Sequence, residues 1–307
     1  MKGIAMPVWK TDRRAALAGI GAILAAGCSR PAPERMPAFE ARLREIEGSV
    51  GGALGVFILD TATNGGIGRR QDMRFPHASS FKLSLAALIL ALGQAGDLDG
   101  EEILRWSRDD LLAFSPFTTD RVDQGASIRE LARAVQVHSD NAAANILLAR
   151  IGGPSRVTQF WRSIGDETSR LDNNEYELNN VPEGEVHDTT TPEAMARTVA
   201  RLLYGDVLTT ADRQRLRGWM IETETGLQRV RAGLPAGWIA GDKTGTTGSW
   251  PGMGSVHADI GFVEPPGRAP LTFAAYHRAE GEIDGTDPAV EAALARVGEV
   301  IASYAGG

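Results

Sequence analysis

The spacing of hydrophobic residues changes twice along the chain, and each change predicts a change of structure. Residues 50–60 ("VGGALGVFILD") form a short apolar run typical of a buried strand, and residues 67–75 follow across the turn "TNGG" as its partner. From residue 79 to about 222 apolar residues recur every three or four positions, which indicates helices. Strand patterns return from about residue 238, and residues 288–305 predict a closing helix.

Strands at both ends of the chain, with helices between them, predict one sheet built from both chain ends and an inserted helical lobe. The expected boundaries are 38–78 together with 223–307 for the α/β lobe, and 79–222 for the helical lobe. The length of 307 residues and the hydrophobic content of 43% are enough to bury a core of this size.

The first 28 residues predict an export signal. Basic residues precede thirteen uncharged residues, 15–27, which are too few to span a bilayer and typical of a cleaved signal. The stretch "TDRRAAL" resembles a twin-arginine signal, and "AAGC" resembles a lipoprotein cleavage site that would leave a lipid on Cys28. We therefore expect a periplasmic protein, with or without a lipid anchor, and a proline-rich tether over 29–37.

Composition narrows the possible partners. The net charge is −7 and no basic run follows the leader, which argues against nucleic acid. The single cysteine, Cys28, excludes an internal disulfide and a thiol metal site. The five histidines lack ligand spacing, so we expect no metal and no cofactor. A monomer that acts on a small molecule fits these limits.

Lysine is rare, and its positions are informative. The chain has four lysines, of which Lys2 and Lys10 lie in the leader and Lys82 and Lys243 lie beyond it. Arginine replaces lysine on a solvated surface, but it cannot replace a lysine that must lose its proton. The two remaining lysines are therefore candidates for chemistry, although their counts alone are also consistent with chance.

Lys82 belongs to an S-x-x-K motif with Ser79. Ser79 falls at a predicted helix N-terminus, where backbone N–H groups favour negative charge, and Lys82 lies one turn later on the same face. A lysine beside other positive charge can lose its proton and act as a base toward a serine hydroxyl.

Two further motifs follow in the chain. The first, Ser139, Asp140 and Asn141, lies between two helical runs and would by itself be read as a helix cap. The second, "KTG" at 243–245, lies on a predicted strand, where the glycine lets a ligand approach the backbone closely. The chain has no G-x-S-x-G elbow, so a Ser-His-Asp hydrolase is not supported.

The three motifs in this order resemble the penicillin-binding and serine β-lactamase superfamily. The segments between them, such as "FSPF", "IGGP" and "LPAGW", resemble class A β-lactamases nearly throughout residues 38–305. The resemblance implies an α+β fold, with a five-stranded antiparallel sheet, flanking helices and an inserted helical lobe. It places the active site between the two lobes.

Residues 170–190 decide which branch of the superfamily the chain resembles. They are similar to the Ω-loop of class A enzymes, here 170–188, which carries a glutamate and an asparagine four residues later: Glu175 and Asn179. Glu177 is at the wrong distance from Asn179. The resemblance also implies a cis peptide bond between Glu175 and Tyr176.

The catalytic roles that the resemblance implies centre on Ser79, which would open the β-lactam ring. Lys82 and Glu175 would share the role of base during acylation. Ser139 would pass a proton to the leaving nitrogen. The backbone N–H groups of Ser79 and Thr246 would form the oxyanion hole.

The remaining residues would bind the substrate and position water. Lys243 would keep the site positive and, with Thr244 and Thr246, bind the substrate carboxylate. Asn179 would hold the hydrolytic water with Glu175. The substrate-binding positions implied are Asn141, Asn179, Thr244, Gly245, Thr246, Arg229 and Phe114. Among these, Asn141 would bind the substrate's amide side chain and Phe114 would gate the site, while Asn145 would fix the Ω-loop.

The sequence departs from the family pattern in the Ω-loop and beside strand "KTG". Asn173 stands where many members have an arginine paired with the residue that is Asp188 here. His257 stands where many have a substrate-binding arginine, and Arg229 matches the position from which one branch supplies it instead. The alternative is that Arg229, like Arg231, is a surface arginine.

Two more departures concern the rim of the site. Thr246 and Arg229 resemble the carbapenem-hydrolysing branch, but that branch has a cysteine pair where this chain has Ala78 and Thr247. The hairpin 247–258 is longer than usual.

The predicted function is hydrolysis of penicillins and cephalosporins through a serine acyl-enzyme, which confers β-lactam resistance. A D,D-peptidase of the cell wall shares the three motifs but lacks the Ω-loop glutamate. A penicillin sensor would be acylated once and remain inert. Such sensors normally belong to transmembrane proteins, and we find no second hydrophobic span in this sequence.

Overall fold

The structure is a computed structural model that describes residues 36–248, 250–281 and 285–306. The predicted export signal, Cys28 and most of the tether lie outside the described residues. The helices of the described part are α1 (Met36–Val50), α2 (Phe81–Ala95), α3 (Pro116–Thr119), α4 (Ile128–Val137), α5 (Asn141–Ile151), α6 (Ser155–Ser163), α7 (Pro192–Tyr204), α8 (Thr210–Ile221) and α9 (Pro288–Ala305). The strands are β1 (Ala53–Asp60), β2 (Gly66–Arg69), β3 (Phe75–Pro76), β4 (Ile103–Leu104), β5 (Ala126–Ser127), β6 (Thr189–Thr190), β7 (Ile239–Thr246), β8 (Val256–Glu264) and β9 (Leu271–Arg278).

One five-stranded antiparallel sheet organises the fold, with the strand order β2-β1-β9-β8-β7. Its strands come from both ends of the chain, and the helical segments lie between them, which confirms the predicted fold class. One detail differs from the prediction. The partner of β1 ends at Arg69, and the following β3 pairs with β6 at the end of the Ω-loop.

Both faces of the sheet are covered, so β1 is buried almost throughout. Leu54, Val56 and Ile58 pack into a core cluster with α1 and α9, whereas Phe57 and Leu59 pack into the larger cluster on the other face, which includes α7 and the helical segments. This alternation follows from the two-residue period of a strand.

Helix α2 runs through the larger core cluster, and nearly all its side chains are buried. The segment Ala78–Ala95 is long and apolar enough to span a membrane, but 78% of it is buried inside the protein. It is therefore a core helix of this fold, and its N-terminal end carries the S-x-x-K motif.

The edge strand β7 lies against the start of that helix. A Cβ atom added at Gly245 would lie 2.8 Å from the backbone nitrogen of Ser79 and 2.9 Å from the Cβ of Ala78. Contacts between non-bonded atoms are not this short, so only glycine allows β7 to approach here. The "KTG" and S-x-x-K motifs therefore meet.

Candidate active site

Ser79 lies in a 3₁₀ turn, Ala78–Ser80, that leads directly into α2. Lys82 lies in the first turn of α2, and its Nζ is 3.0 Å from Ser79 Oγ. The side chain of Lys82 is fully buried. The predicted spacing therefore brings the two reactive groups into hydrogen-bond contact.

Four oxygens surround the amine of Lys82. Besides Ser79 Oγ, they are Ser139 O at 3.0 Å, Glu175 Oε1 at 2.9 Å, and Asn141 Oδ1 in a short contact. A charged lysine has three N–H groups, so it cannot donate to all four oxygens at once. The cluster therefore offers this amine more acceptor oxygens than it has N–H groups.

The residues of the S-D-N motif contact both the rest of the fold and the other residues of the site. The carboxylate of Asp140 caps α5 at Ala143 N (2.8 Å) and accepts hydrogen bonds from Thr118. Ser139 precedes it in a left-handed conformation (φ 58°), and its hydroxyl accepts a hydrogen bond of 2.9 Å from Lys243 Nζ. Asp140 therefore caps the helix, and Ser139 contacts the other residues of the site.

Lys243 is fully buried on β7. Its amine also donates to the carbonyl oxygen of Thr244, at 2.7 Å. Burial lowers the pKa of Lys243 well below its usual value, and the nearby charge of Lys82 lowers it further. Two buried amines thus contact Ser139, Lys82 at the backbone carbonyl and Lys243 at the hydroxyl, and Lys82 also contacts Ser79.

The Ω-loop presents Glu175 to this cluster. Asn145 on α5 holds the backbone of Glu175 by two hydrogen bonds, one from its amide nitrogen to the carbonyl oxygen (2.8 Å) and one from Glu175 N to its amide oxygen (3.0 Å). Asn179 Nδ2 donates to Glu175 Oε2 at 3.3 Å. The peptide bond between Glu175 and Tyr176 is cis, which confirms that prediction.

A cavity of about 440 Å³ opens above these buried groups. Of the predicted residues, Ser79, Phe114, Ser139, Asn141, Arg229, Thr244, Gly245 and Thr246 line it. The catalytic candidates Lys82, Glu175 and Lys243 and the water-binding candidate Asn179 do not line the cavity. Lys82 and Lys243 contact its lining residues Ser79 and Ser139, and Glu175 contacts Lys82 behind them. The arrangement places the hydroxyl of Ser79 at an open pocket and two amines and a carboxylate next to it, shielded from solvent.

Thr225 and Glu291 are among the residues of the cavity wall that the sequence did not point to. The hydroxyl of Thr225 lies 2.7 Å from that of Thr244, and Glu291 of α9 forms an ion pair with Arg229. Neither belongs to a motif, and each meets its partner only through the packing of separate elements.

Comparison with known proteins identifies the family. A model described as the Beta-lactamase enzyme family matches residues 38–305. A β-lactamase of Streptomyces fradiae is 42% identical over 279 residues, with 86% of this chain and 88% of the relative aligned. A solved structure named as an ancestral class A β-lactamase matches with a TM-score of 0.81 at 44% identity, covering 86% of this chain and 99% of that one. This chain belongs to the class A β-lactamase family. A relative named as the carbapenem-hydrolyzing β-lactamase KPC, from Klebsiella oxytoca, is 41% identical, with 82% of this chain and 85% of the relative aligned.

Within this class A framework, Arg229 is buried and not a surface residue. It donates to the carbonyl oxygens of Gly245 and Ala258, both at 2.9 Å, and to Thr246 Oγ1 at 2.6 Å. Its Nε donates to Glu291 at 3.2 Å. These contacts use four of the five N–H groups of the guanidinium, and Arg229 is one of the residues that line the cavity.

His257 does not supply the positive charge that many class A members place at this position. It is fully buried, and burial together with the charge of Arg229 lowers its pKa to about 4. Its Nε2 accepts a hydrogen bond from the backbone N–H of Asp287, which requires that nitrogen to be unprotonated. His257 is therefore neutral at pH 7.

Arg231, which the sequence analysis treated as a surface arginine, is also largely buried. Its guanidinium forms a two-point ion pair with the fully buried Asp242, at 2.7 and 2.8 Å, and donates to Thr223 O. Arg231 is therefore a structural residue behind β7, whereas Arg229 lines the cavity.

The neck of the Ω-loop also departs from the family pattern. Asp188 is fully buried and accepts hydrogen bonds from the backbone N–H groups of Asp172 and Asn173 and from Asn173 Nδ2, the last at 2.7 Å. A neutral amide therefore closes the loop where many members use an arginine.

Within the described ranges, no group of three or more histidine, cysteine, aspartate or glutamate side chains is arranged to hold a metal ion.

Proposed function

We propose that this protein hydrolyses the β-lactam amide bond of penicillins and cephalosporins through an acyl-enzyme on Ser79. One observation carries the proposal: the amine of Lys82 lies between the hydroxyl of Ser79, at 3.0 Å, and the carboxylate of Glu175, at 2.9 Å. This is the geometry that a base needs to take the proton of a nucleophilic serine.

In acylation, the Oγ of Ser79 attacks the β-lactam carbonyl carbon and loses its proton to the Lys82–Glu175 pair. Either residue can be the final proton acceptor, because a proton can pass between them across a contact of 2.9 Å. The C–N bond then breaks as Ser139 gives its hydroxyl proton to the leaving nitrogen and takes in its place the proton that the Lys82–Glu175 pair removed from Ser79. Lys243 supports this step, because it donates to Ser139 Oγ and leaves the hydroxyl hydrogen free to point at the substrate.

Two groups of residues would stabilise negative charge on the substrate. The backbone N–H groups of Ser79 and Thr246 would stabilise the oxyanion that forms on the carbonyl oxygen. The substrate carboxylate would be held by Thr244 and Thr246, with Lys243 and the remaining N–H of Arg229 as the positive charges nearby. Gly245 would let the substrate lie against β7, and Asn141 would hold its amide side chain beside Phe114.

Deacylation needs a water molecule activated beside the ester. Glu175 and Asn179 are joined by a hydrogen bond of 3.3 Å, and the backbone of Glu175 is fixed by Asn145. We assign Glu175 and Asn179 to hold the water and Glu175 to take its proton as the water oxygen attacks the ester carbonyl. The bond between the acyl carbon and Ser79 Oγ then breaks, and the proton returns to Ser79 Oγ. Class A membership and this pair favour hydrolysis over the two alternatives, a D,D-peptidase and a penicillin sensor.

The range of substrates is part of the proposal. The relative from Klebsiella oxytoca is named as carbapenem-hydrolyzing, and this chain shares with that branch Thr246 and Arg229 but not the cysteine pair. We assign penicillins and cephalosporins as substrates, and kcat/KM values measured over penicillins, cephalosporins and carbapenems test that assignment.

The setting of the enzyme follows from the sequence alone. We assign residues 1–28 as an export signal, the periplasm as the location and a monomer as the working state, with a lipid on Cys28 as the alternative to a free form. The two lobes, 38–78 with 223–307 and 79–222, would enclose the site. Mass spectrometry of the mature N-terminus tests the cleavage site and the lipid together.

A chromogenic cephalosporin tests the function directly. The expected result is sustained turnover, whereas a peptidase or a sensor would give one stoichiometric burst. Ser79→Ala should abolish turnover and leave the fold intact, because removing one small hydroxyl costs little packing. Normal hydrolysis by that variant would exclude a serine mechanism.

A further inference from the structure

Thr225 brings a hydroxyl group to the cavity wall beside β7. Its oxygen lies 2.7 Å from Thr244 Oγ1, and both residues line the cavity. Among the described residues, neither hydroxyl has another hydrogen-bond partner. A bond between two hydroxyls uses one of their two hydrogens, because each oxygen carries one hydrogen and two lone pairs. The second hydrogen is therefore left for a group inside the cavity.

Gly226 allows Thr225 to come this close to β7. Its backbone is left-handed (φ 71°), and a Cβ atom added there would lie 2.2 Å from the Cγ2 methyl of Thr244. No side chain fits in that space, so this turn requires glycine. The backbone N–H of Arg229 closes the turn by donating to the carbonyl oxygen of Gly226, at 2.9 Å. Segment 225–229 is thereby held against the strand that carries Thr244.

A second residue of the same segment contacts the next threonine on this face of β7. Arg229 donates to Thr246 Oγ1 at 2.6 Å, and Thr246 follows Thr244 by two residues, which is the period of a strand. Segment 225–229 therefore provides a polar partner for both threonine hydroxyls. A hydroxyl oxygen that accepts a hydrogen bond keeps its own hydrogen for a second partner. At Thr246 that hydrogen is available to the cavity, which this residue lines.

We propose that Thr225 is a positioning residue for substrate recognition, whose hydroxyl donates to Thr244 Oγ1 and so directs the hydroxyl hydrogen of Thr244 to the substrate's carboxylate. The proposal rests on the proposed function, in which Thr244 and Thr246 hold that carboxylate. An ionised carboxylate accepts hydrogen bonds and has no hydrogen to donate. When it is bound, Thr244 donates to it, and the bond between the two threonines runs from Thr225 to Thr244.

The effect on binding comes from two changes at Thr244. A donor on its oxygen limits the rotation of the hydroxyl, so less conformational entropy is lost when the substrate binds. The same donor polarises the O–H group of Thr244 and strengthens the bond that it gives to the carboxylate. Without Thr225 the bond to the substrate can still form, so we expect weaker binding and not a loss of activity. The proton transfers at Ser79 involve other residues, so kcat should change little.

The experiment compares Thr225→Val and Thr225→Ser with the parent protein on benzylpenicillin. Valine keeps the shape of threonine and removes the hydroxyl, whereas serine keeps the hydroxyl and removes the methyl group. We expect kcat/KM to fall about three- to tenfold in Thr225→Val, mostly through KM, and to stay within about twofold of the parent value in Thr225→Ser. Parental kinetics in Thr225→Val, or an equal loss in both variants, would overturn the proposal.

A double-mutant cycle tests whether Thr225 acts through Thr244. In a Thr244→Val background there is no hydroxyl left to position, so the addition of Thr225→Val should change kcat/KM by less than about twofold. A loss as large as in the parent background would mean that Thr225 acts on the substrate by another route, and the positioning role would be wrong.

A binding measurement separates this proposal from the proposed function. In the Ser79→Ala variant, calorimetric titration gives the Kd of benzylpenicillin without turnover. We expect that Kd to rise about three- to tenfold when Thr225→Val is added and to stay nearly constant when Thr225→Ser is added. An unchanged Kd on addition of Thr225→Val would exclude the positioning role, even if the parent protein hydrolyses β-lactams. A parent protein that bound benzylpenicillin without hydrolysing any β-lactam would instead overturn the proposed function, and the Kd values would still decide the role of Thr225 in binding.

Discussion

Arg229 and Glu291 form an ion pair beside the "KTG" strand, with 3.2 Å between Nε and Oε1, and the side chain of Arg229 is only 4% exposed. The pair joins α9 to the segment that precedes β7. It also places a carboxylate in the cavity wall, beside the guanidinium that we propose to meet the substrate's carboxylate. Glu291 therefore holds the guanidinium in place and partly neutralises its charge.

Removing the guanidinium should weaken substrate recognition. We expect Arg229→Ala to lower kcat/KM for benzylpenicillin by about ten- to a hundredfold, mostly through KM, because a hydrogen bond to a charged group is worth roughly 1.5–3 kcal/mol. Glu291→Gln keeps a side-chain acceptor for Nε but removes the competing charge, and it should lower KM by about two- to fivefold. Steady-state kinetics of both variants check the prediction, and a rise of KM in both would assign Arg229 a purely structural role.

The buried ion pair of Arg231 with Asp242 should contribute more to stability than an exposed ion pair. Arg231→Ala leaves Asp242 buried without its partner, and breaking such a pair typically costs roughly 3–5 kcal/mol. We expect urea denaturation to show a lower free energy of unfolding for Arg231→Ala than for the parent protein. This loss should exceed the loss in Arg42→Ala, because the ion pair of Arg42 with Glu299 is exposed. Equal stability of the two variants would show that the buried pair contributes no more than a surface one.

Glu175 and Glu177 can be separated by the fate of the acyl-enzyme. Glu175→Ala should nearly stop deacylation, slowing it by about 10²- to 10⁴-fold, because the hydrolytic water loses its base. Intact-protein mass spectrometry should then show a long-lived penicilloyl adduct on Ser79. Glu177→Ala is the control, since Glu177 contacts Asn180 at the surface. An adduct trapped only in the control would mean that the two glutamates had been assigned the wrong way round.

The sequence predicted the sheet, the inserted helices and the positions of the three motifs, because these depend on periodicity and on local spacing. It could not predict that Tyr176 reaches Ala113, or that Glu291 meets Arg229, because these pairs are 63 and 62 residues apart and follow no spacing rule. It also misjudged Arg231. An arginine in a polar segment is usually solvated, and only the packed structure reveals the buried Asp242 behind it.

The Ω-loop should open more readily than its neighbouring helices, because a neutral amide at Asn173 holds Asp188 where many relatives have a charged arginine. Hydrogen exchange over 170–188 should therefore be faster than over α5 and α7. Asn173→Asp should accelerate it further, since this substitution removes the donor and sets two carboxylates together. Exchange over 170–188 as slow as in α5 would refute the expected looseness.

The buried imidazole of His77 should make the protein sensitive to acid. His77 is fully buried and stacks on Trp161, with 4.9 Å between ring centroids. Burial lowers its pKa to about 4; the charge of Asp166 opposes this effect, and that of Arg74 adds to it. In the unfolded chain the pKa of histidine is about 6.5.

Between pH 6.5 and 4 the unfolded chain therefore binds a proton at this position that the folded protein does not. The contribution of His77 to the free energy of unfolding is greatest above pH 6.5, falls as the pH drops toward 4, and stops falling below that pH. The difference of about 2.5 pKa units corresponds to roughly 3 kcal/mol for this residue.

His77→Phe keeps a ring against Trp161 and removes the titration, so the free energy of unfolding of this variant should fall less between pH 7 and pH 4.5. Urea denaturation at four pH values measures the slope, with His138→Phe at the partly exposed His138 as the control. If both variants kept the parental slope, another group, such as His257 with its pKa of about 4, would be the source of the acid sensitivity.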